Sequence, residues 1–286
     1  MTPRAIAGVA RRWRAEGRPA AVVEVSAARG SVPRQTGTRM LVSADEVLGT
    51  IGGGHLELKA IEDARALLGR RGTTPFEVHV PLGPALGQCC GGAVTLRIAP
   101  LTAVDPEAWP LPAPRFTLQL YGAGHVGRAI VRLLEAIDCA VQWIDEREDQ
   151  FPPAAGIASA PHVERVCVEP VEAEVAMAPA GAFYLVLTHS HDLDLAITHA
   201  ILRRGDFGFL GLIGSKTKRA RFEHRLAERG IAPALLERMV CPIGVPGIEG
   251  KEPEVIAVAV VAQLLQLSGP ASPVADAGGD SVVNLA

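Results

Sequence analysis

Three glycines in the run Gly122-Ala123-Gly124-His125-Val126-Gly127 carry the strongest chemical signal in the chain. They follow a stretch of strand character directly and open a helical one, the setting in which GxGxxG presents backbone amides to a pyrophosphate. Gly122 permits the tight turn, Gly124 lets the backbone approach an anion, and Gly127 lets the helix lie close to the strand. Asp145, at the end of the next strand and 18 residues after Gly127, is placed to hold ribose hydroxyls. The turn can equally persist for packing alone, and His125 either faces a ligand or sits in a solvated loop.

Thr188-His189-Ser190-His191-Asp192-Leu193-Asp194 follows another predicted strand. Residues leaving the carboxyl ends of parallel strands line the binding crevice of an open sheet, so His189 and His191 are candidate ligand contacts. The HxHxD letters also suggest a binuclear metal hydrolase, but the further spaced histidines of such sites are missing. The plain alternative is a helix start capped by Ser190 or Asp192. A third run, Gly214-Ser215-Lys216-Thr217-Lys218-Arg219-Ala220-Arg221, puts a capping serine and four cations on one helix start. Cations there oppose the helix dipole, which predicts a bound anion over Gly214, Ser215 and Lys216, or else a solvated basic face.

Upstream lie three glycine-punctuated loops. Gly30 to Met40 offers flexible amides beside Arg34, and Gly52-Gly53-Gly54-His55-Leu56-Glu57 adds donors, an imidazole and a carboxylate. Gln88-Cys89-Cys90-Gly91-Gly92 puts two thiols on a loop. Adjacent cysteines chelate one tetrahedral ion poorly, so zinc is not expected. One thiolate of Cys89 or Cys90 is a feasible soft metal ligand or sulfur-chemistry group. Cys139, Cys167 and Cys241 sit among apolar neighbours and read as core.

The elements that must carry these residues fall into two halves. Before residue 100 the periodicities predict a helix over 4–16, strands at 20–26, 40–42 and 47–51, a helix over 56–68, and strands at 76–80 and 93–98. Pro100 to Pro114, with five prolines, reads as a semi-rigid linker. From 115 to 267 strands alternate with helices: strands at 116–121, 140–144, 183–187 and 209–213, helices at 126–137, 193–203 and 216–229. That alternation predicts a doubly wound parallel sheet of Rossmann type, following an N-terminal α+β domain over 1–99. The stretch between 145 and 182 is read as irregular, and 268–286 as a loose tail.

Among 286 residues, 48% are hydrophobic and 21% charged, enough to bury a large core. A net charge of −3 speaks against a general nucleic-acid binder. Five irregularly spaced cysteines make a poor disulfide framework and suit a reducing compartment. The longest apolar segment, Val255 to Leu267, is broken by Gln263 and Gln266 and is short of a bilayer span, so a cytoplasmic protein without membrane contact is expected.

Taken in order, GSVPRQTGTRMLVS, GTIGGGHLE, LGQCCGG, YGAGHVGRA, WIDER, LTHSHDLD, GLIGSKTKRARF and CPIGVPGIEGKEPEVIAVAV resemble the xanthine dehydrogenase accessory family of the XdhC/CoxI type. The resemblance implies a chaperone without turnover of its own. It would bind the molybdenum cofactor (molybdopterin) as cargo, support its sulfuration and deliver it to apo xanthine dehydrogenase. A cysteine desulfurase would be its sulfur donor; a homodimer is expected on the separate ground that it is the commonest assembly of soluble proteins. On this reading the glycine turn and the helix from Lys216 hold the phosphate end of the cargo, while Cys89, Cys90, His55 and Glu57 lie toward the metal. Two rivals stand beside it. One is an NAD(P)-dependent oxidoreductase with His125 or His191 as acid or base. The other is a scaffold that bridges dehydrogenase and desulfurase without holding cofactor.

Overall fold

The computed structural model describes residues 1–82, 91–153 and 160–269, which divide into two units at the Leu111–Pro112 junction.

The first unit is built on a five-stranded antiparallel sheet. Helix α1 (Pro3–Ala15) starts on a Thr2 cap, whose hydroxyl accepts from the Ala5 amide at 3.1 Å, with Pro3 in the first turn. Strands β1 (Ala20–Arg29), β2 (Arg39–Ser43) and β3 (Val47–Gly49), helix α2 (Gly54–Gly69), and strands β4 (Phe76–Pro81) and β5 (Ala93–Pro100) follow. The sheet order is β3-β2-β1-β5-β4. Strand periodicity sorts β1 between two faces: Ala21, Val23 and Val25 join Leu56, Ala60 and Ala64 of α2, while Ala20 and Val22 join Ile6, Ala10 and Trp13 of α1. A run buried on both faces reads as nearly continuously apolar, broken within 20–25 only by Glu24, which is why 20–26 reads as a buried strand.

The proline-rich stretch departs from its expected role as a linker. Leu101 and Trp109 are buried with Trp13 and Leu41 in the core under α1. The Arg39 guanidinium lies 4.7 Å from the centre of the Trp109 ring and pairs with Glu24 at 2.5 Å. Asp105 and Glu107 meet Arg14 and Arg11, each at 3.1 Å. Proline stiffness here serves a fitted strap, and apolar anchors spaced by turns carry little periodic signal.

The second unit is an open, all-parallel six-stranded sheet with helices on both faces. Its elements are β6 (Thr117–Tyr121), α3 (His125–Leu134), β7 (Ala140–Asp145), β8 (Val163–Cys167), β9 (Phe183–Val186) and α4 (His191–Arg204). They continue with β10 (Phe209–Leu212), α5 (Lys216–Glu228), α6 (Pro233–Glu237), β11 (Met239–Val240) and α7 (Pro253–Ser268). The strand order β11-β10-β9-β6-β7-β8 reverses direction between β6 and β9. On one face Leu118, Leu120 and Trp143 pack with α3 and α7; on the other Tyr184, Val186 and Leu210 pack with α4 and α5. The apolar segment from Val255 is thus α7, short because it covers a sheet rather than crossing a bilayer. Among the described residues no helix is long and apolar enough to span a membrane.

Two further expectations change. The stretch taken as irregular supplies β8 and a 3-10 segment over Val171–Met177. Cys167, read as core, is exposed at the end of this edge strand, while Cys139 and Cys241 are buried.

If the strap belongs to the first core, Leu101→Ala should cost about 2–5 kcal/mol, as a truncation in a packed interior does, whereas in a linker the cost stays within about 0.5 kcal/mol. Urea unfolding of the full chain, followed by tryptophan fluorescence, separates the two.

Candidate functional site

The glycine turn sits where β6 hands over to α3, at the carboxyl end of the sheet and beside the reversal of strand order. Each of its glycines answers to a different demand. Gly122 has φ +122°, and a Cβ there would lie 2.4 Å from the Leu187 carbonyl oxygen. At Gly127 a Cβ would fall 2.1 Å from the carbonyl oxygen of Gly122, so the helix rests directly on the turn. Gly124 is different: its φ of −69° suits any residue, and nothing lies within 4 Å of a Cβ built there. Neither packing nor backbone conformation calls for glycine at 124. The open space stands over the N-terminus of α3.

Side chains hold this turn from three sides. The Trp143 indole Nε1 donates to the Gly122 carbonyl at 3.0 Å. Arg128 Nε donates to the Ala123 carbonyl at 3.0 Å and its Nη2 to the Gln150 carbonyl at 2.6 Å. Asp145 Oδ2 accepts from the Ala123 amide at 2.7 Å. No side chain caps α3, in contrast to α4 and α5, which begin on the hydroxyls of Ser190 and Ser215. The first amides of α3 are therefore left for solvent or an anion.

Asp145, expected to await ribose, is spent on the protein. Besides the Ala123 amide it accepts from the Arg147 amide at 3.0 Å and from Arg147 Nε and Nη2, each at 2.9 Å. Burial alone would raise its pKa, but these hydrogen bonds outweigh it and hold the carboxyl below the ordinary range.

On the neighbouring side, Asp194 and Lys218 form a buried ion pair at 2.6 Å, with side chains 1% and 8% exposed. Asp194 Oδ1 also accepts from the Thr188 amide at 3.0 Å and hydroxyl at 2.7 Å, and Lys218 Nζ donates to the Ile213 carbonyl at 2.7 Å. The pair ties the loop after β9 to the loop after β10. Sequence reading treated Asp194 as part of a histidine motif and Lys218 as one free cation among four. The missed signal was a carboxylate and a lysine each on the inward face of a helix start.

The expected anion-demanding cluster on α5 is correspondingly reduced. Arg219 pairs with Glu223 at 2.7 Å, and Arg221 Nη2 donates to His191 Nδ1 at 2.9 Å. Lys216 remains exposed. Gly214 is small for a packing reason, since a Cβ would meet Lys218 Cδ at 2.6 Å and Cys241 Sγ at 3.1 Å. His125 is exposed at the first turn of α3, and His189 Nε2 stands 3.7 Å from Glu146 Oε1.

The first unit gathers its own glycine loops. A Cβ on Gly52 would lie 2.5 Å from Pro33, and one on Gly30 would lie 3.2 Å from Gly92 Cα, so the loop after Gly30 meets both the Gly52 loop and Gly92 at one end of the sheet. Glu57, expected near a metal, instead organises this region. Its Oε2 accepts from the Thr50 hydroxyl, from the Ile51 amide at 3.0 Å and from the Gly53 amide at 3.2 Å, which steadies positive-φ backbone at Gly52, Gly53 and Gly54. Arg34 and His55 are exposed around it. Cys89 and Cys90 lie outside the described residues, and among those described no group of three or more His, Cys, Asp or Glu side chains is placed to hold a metal ion. Burial pushes the Cys139 thiol up to about 12, with Asp138 adding to it, which removes it as a nucleophile.

Comparison with known proteins bears on this arrangement. Residues 118–264 match the family model of the XdhC Rossmann domain, and residues 13–80 match that of the XdhC and CoxI family. The chain is 32% identical over 268 residues to an uncharacterized Escherichia coli (strain K12) protein, YqeB, covering 88% of this chain and 44% of that protein. It thus spans under half the length of that relative. A Bacillus halodurans crystal structure described as a xanthine dehydrogenase shares the fold, with a TM-score of 0.68 at 19% identity over 93% of this chain and 96% of that one.

Two outcomes follow from the geometry. Gly124→Ala should shift thermal unfolding by no more than about 1 kcal/mol, the N-cap preference for glycine over alanine opposing the entropy lost by the unfolded chain, whereas Gly127→Ala should destabilise by about 1–3 kcal/mol or more, because backbone must move. Lys218→Met should cost about 3–5 kcal/mol in chemical unfolding, since it strands the Asp194 carboxylate; a cost below about 0.5 kcal/mol would show that the pair is no staple.

Proposed function

Since the chain belongs to the XdhC and CoxI family, we propose that it binds the molybdenum cofactor as cargo, supports its sulfuration and delivers it to apo xanthine dehydrogenase. The observation that carries the binding half is the open ground over Gly124, above a helix start that no side chain caps. A pterin dithiolene ending in a phosphate needs such a cradle. Amide hydrogens aligned at a helix N-terminus supply it without a cation.

The residues present fit the phosphate end. Gly122 and Gly127 shape the turn, Gly124 admits the anion, and exposed His125, His189, His191 and Lys216 stand on the loops and helix starts at the carboxyl ends of the parallel strands. In the first unit, Gly53, Gly54, Arg34 and His55 form a polar group of their own. Gly214, Ser215, Asp145 and Glu57 support loops rather than ligand. Delivery requires release, so a site made of neutral amides and few cations, with moderate affinity, suits a carrier better than an enzyme with a resident cofactor. Handling of sulfur would fall to Cys89 or Cys90, with a cysteine desulfurase as the donor.

The strand order of the second unit also suits a nicotinamide cofactor, but Asp145 is already saturated by protein donors, which argues against that use. Anaerobic purification from cofactor-competent cells tests the reading through molybdenum content and the fluorescence of the oxidised pterin. Near-stoichiometric pterin is expected, with a loss of roughly tenfold, equal to about 1.4 kcal/mol, in Gly124→Val at unchanged thermal stability. Neither pterin nor molybdenum, even after incubation with free cofactor, would overturn it.

A further inference from the structure

In the parallel sheet of the second unit, a nucleoside attached to phosphates on α3 would lie in the crevice between the loops after β7 and β9. That crevice is narrow: Tyr121, Ile144, Val171, Thr188, His189 and Leu193 close around a space of about 180 Å³, open mouth included. At its edge the Asp145 side chain is 3% exposed, and both of its oxygens are filled. A carboxylate offers about four acceptor positions. The Ala123 amide takes one, and the backbone amide, Nε and Nη2 of Arg147 take three.

We infer that Arg147 closes the adenosine seat of this crevice, so that the site takes phosphate-bearing ligands that lack a nucleoside. The inference rests on the reading of the α3 N-terminus as the phosphate end. A ribose diol donates two hydrogen bonds to such a carboxylate, and here it would have to displace the two-pronged contact of a planar guanidinium. Of the four donors, two are backbone amides that cannot leave without breaking the turn. The Arg147 side chain is the only replaceable part, and it is 30% exposed, able to be exchanged by mutation without opening the core. Arg147 is thus a specificity residue: it spends the ribose-binding carboxylate on the fold.

Titration of the full chain with inorganic pyrophosphate, NADH and NADPH, by calorimetry, tests this directly. In the wild type both dinucleotides should bind no more than roughly threefold tighter than pyrophosphate, since adenosine adds nothing. In Arg147→Ala, NADH should gain roughly tenfold or more while pyrophosphate is unchanged, and Arg147→Gln, which keeps a polar side chain of similar length without the fork, should gain in the same direction. Wild-type binding of either dinucleotide tenfold tighter than pyrophosphate would overturn the inference and leave the phosphate reading standing; NADPH is included because an arginine there can also serve a 2′-phosphate. Failure of both folded variants to gain NADH affinity would also overturn it. Binding of none of the three probes by the wild type would instead sink the phosphate end itself.

Discussion

The second unit depends on one close approach, the backbone of α3 lying on the turn that ends β6. With a Cβ at Gly127 the helix would collide with the Gly122 carbonyl at 2.1 Å, so the contact exists only as glycine on carbonyl. That carbonyl is fixed in turn by the Trp143 indole, the next one by Arg128, and the Ala123 amide by Asp145. Two of the partners, Trp143 and Asp145, come from β7 and the third, Arg128, from α3 itself. The turn is therefore pinned by the protein alone, and an anion bound there would meet amides already aligned, with little ordering left to do.

A second device holds the other side of the same sheet edge. The Asp194–Lys218 pair is costly to desolvate, and a pair of apolar residues of similar size would fill the volume as well. What an apolar pair cannot do is satisfy the Thr188 amide, the Thr188 hydroxyl and the Ile213 carbonyl at the same time. These groups belong to two loops whose conformations set where His189, His191 and Ser215 stand. Fixing loops by a buried ionic network gives a definite geometry at the rim of the crevice while the core below stays apolar.

Much of this was legible in the sequence because strand alternation, helix periodicity and the glycine spacing each have a period of their own. The Rossmann half and the α+β character of the first unit follow from those periods. What escaped notice lacked one. The strap over 101–109 is anchored by single apolar residues between turns, β8 is a short edge strand with a mixed burial pattern, and β11 has two residues. Their placement comes from tertiary contacts that no local window contains. Cys167 was misplaced for the same reason, since apolar neighbours along the chain do not bury the exposed end of an edge strand.

The site was legible in position and less so in role. Residue types able to do chemistry are also the types able to satisfy orphaned backbone groups, and a folded chain draws on them for both purposes. Glu57 stabilises a run of positive-φ glycines, Asp145 a tight turn, and Lys218 a buried carboxylate; all three look like ligand residues until their lone pairs and protons are counted. The count separates the two classes without reference to any ligand. A group whose hydrogen-bonding capacity is filled by the protein is structural, whatever its type, and a group left exposed or uncapped at a pinned position is available. By that criterion the candidates in the second unit contract to the α3 amides, His125, His189 and Lys216, with His191 half engaged by Arg221. In the first they contract to Arg34, His55 and the glycine loops around them. Gly124 belongs with the available groups although it has no side chain at all: nothing lies within 4 Å of a Cβ built there, and the backbone at the start of α3 stands open.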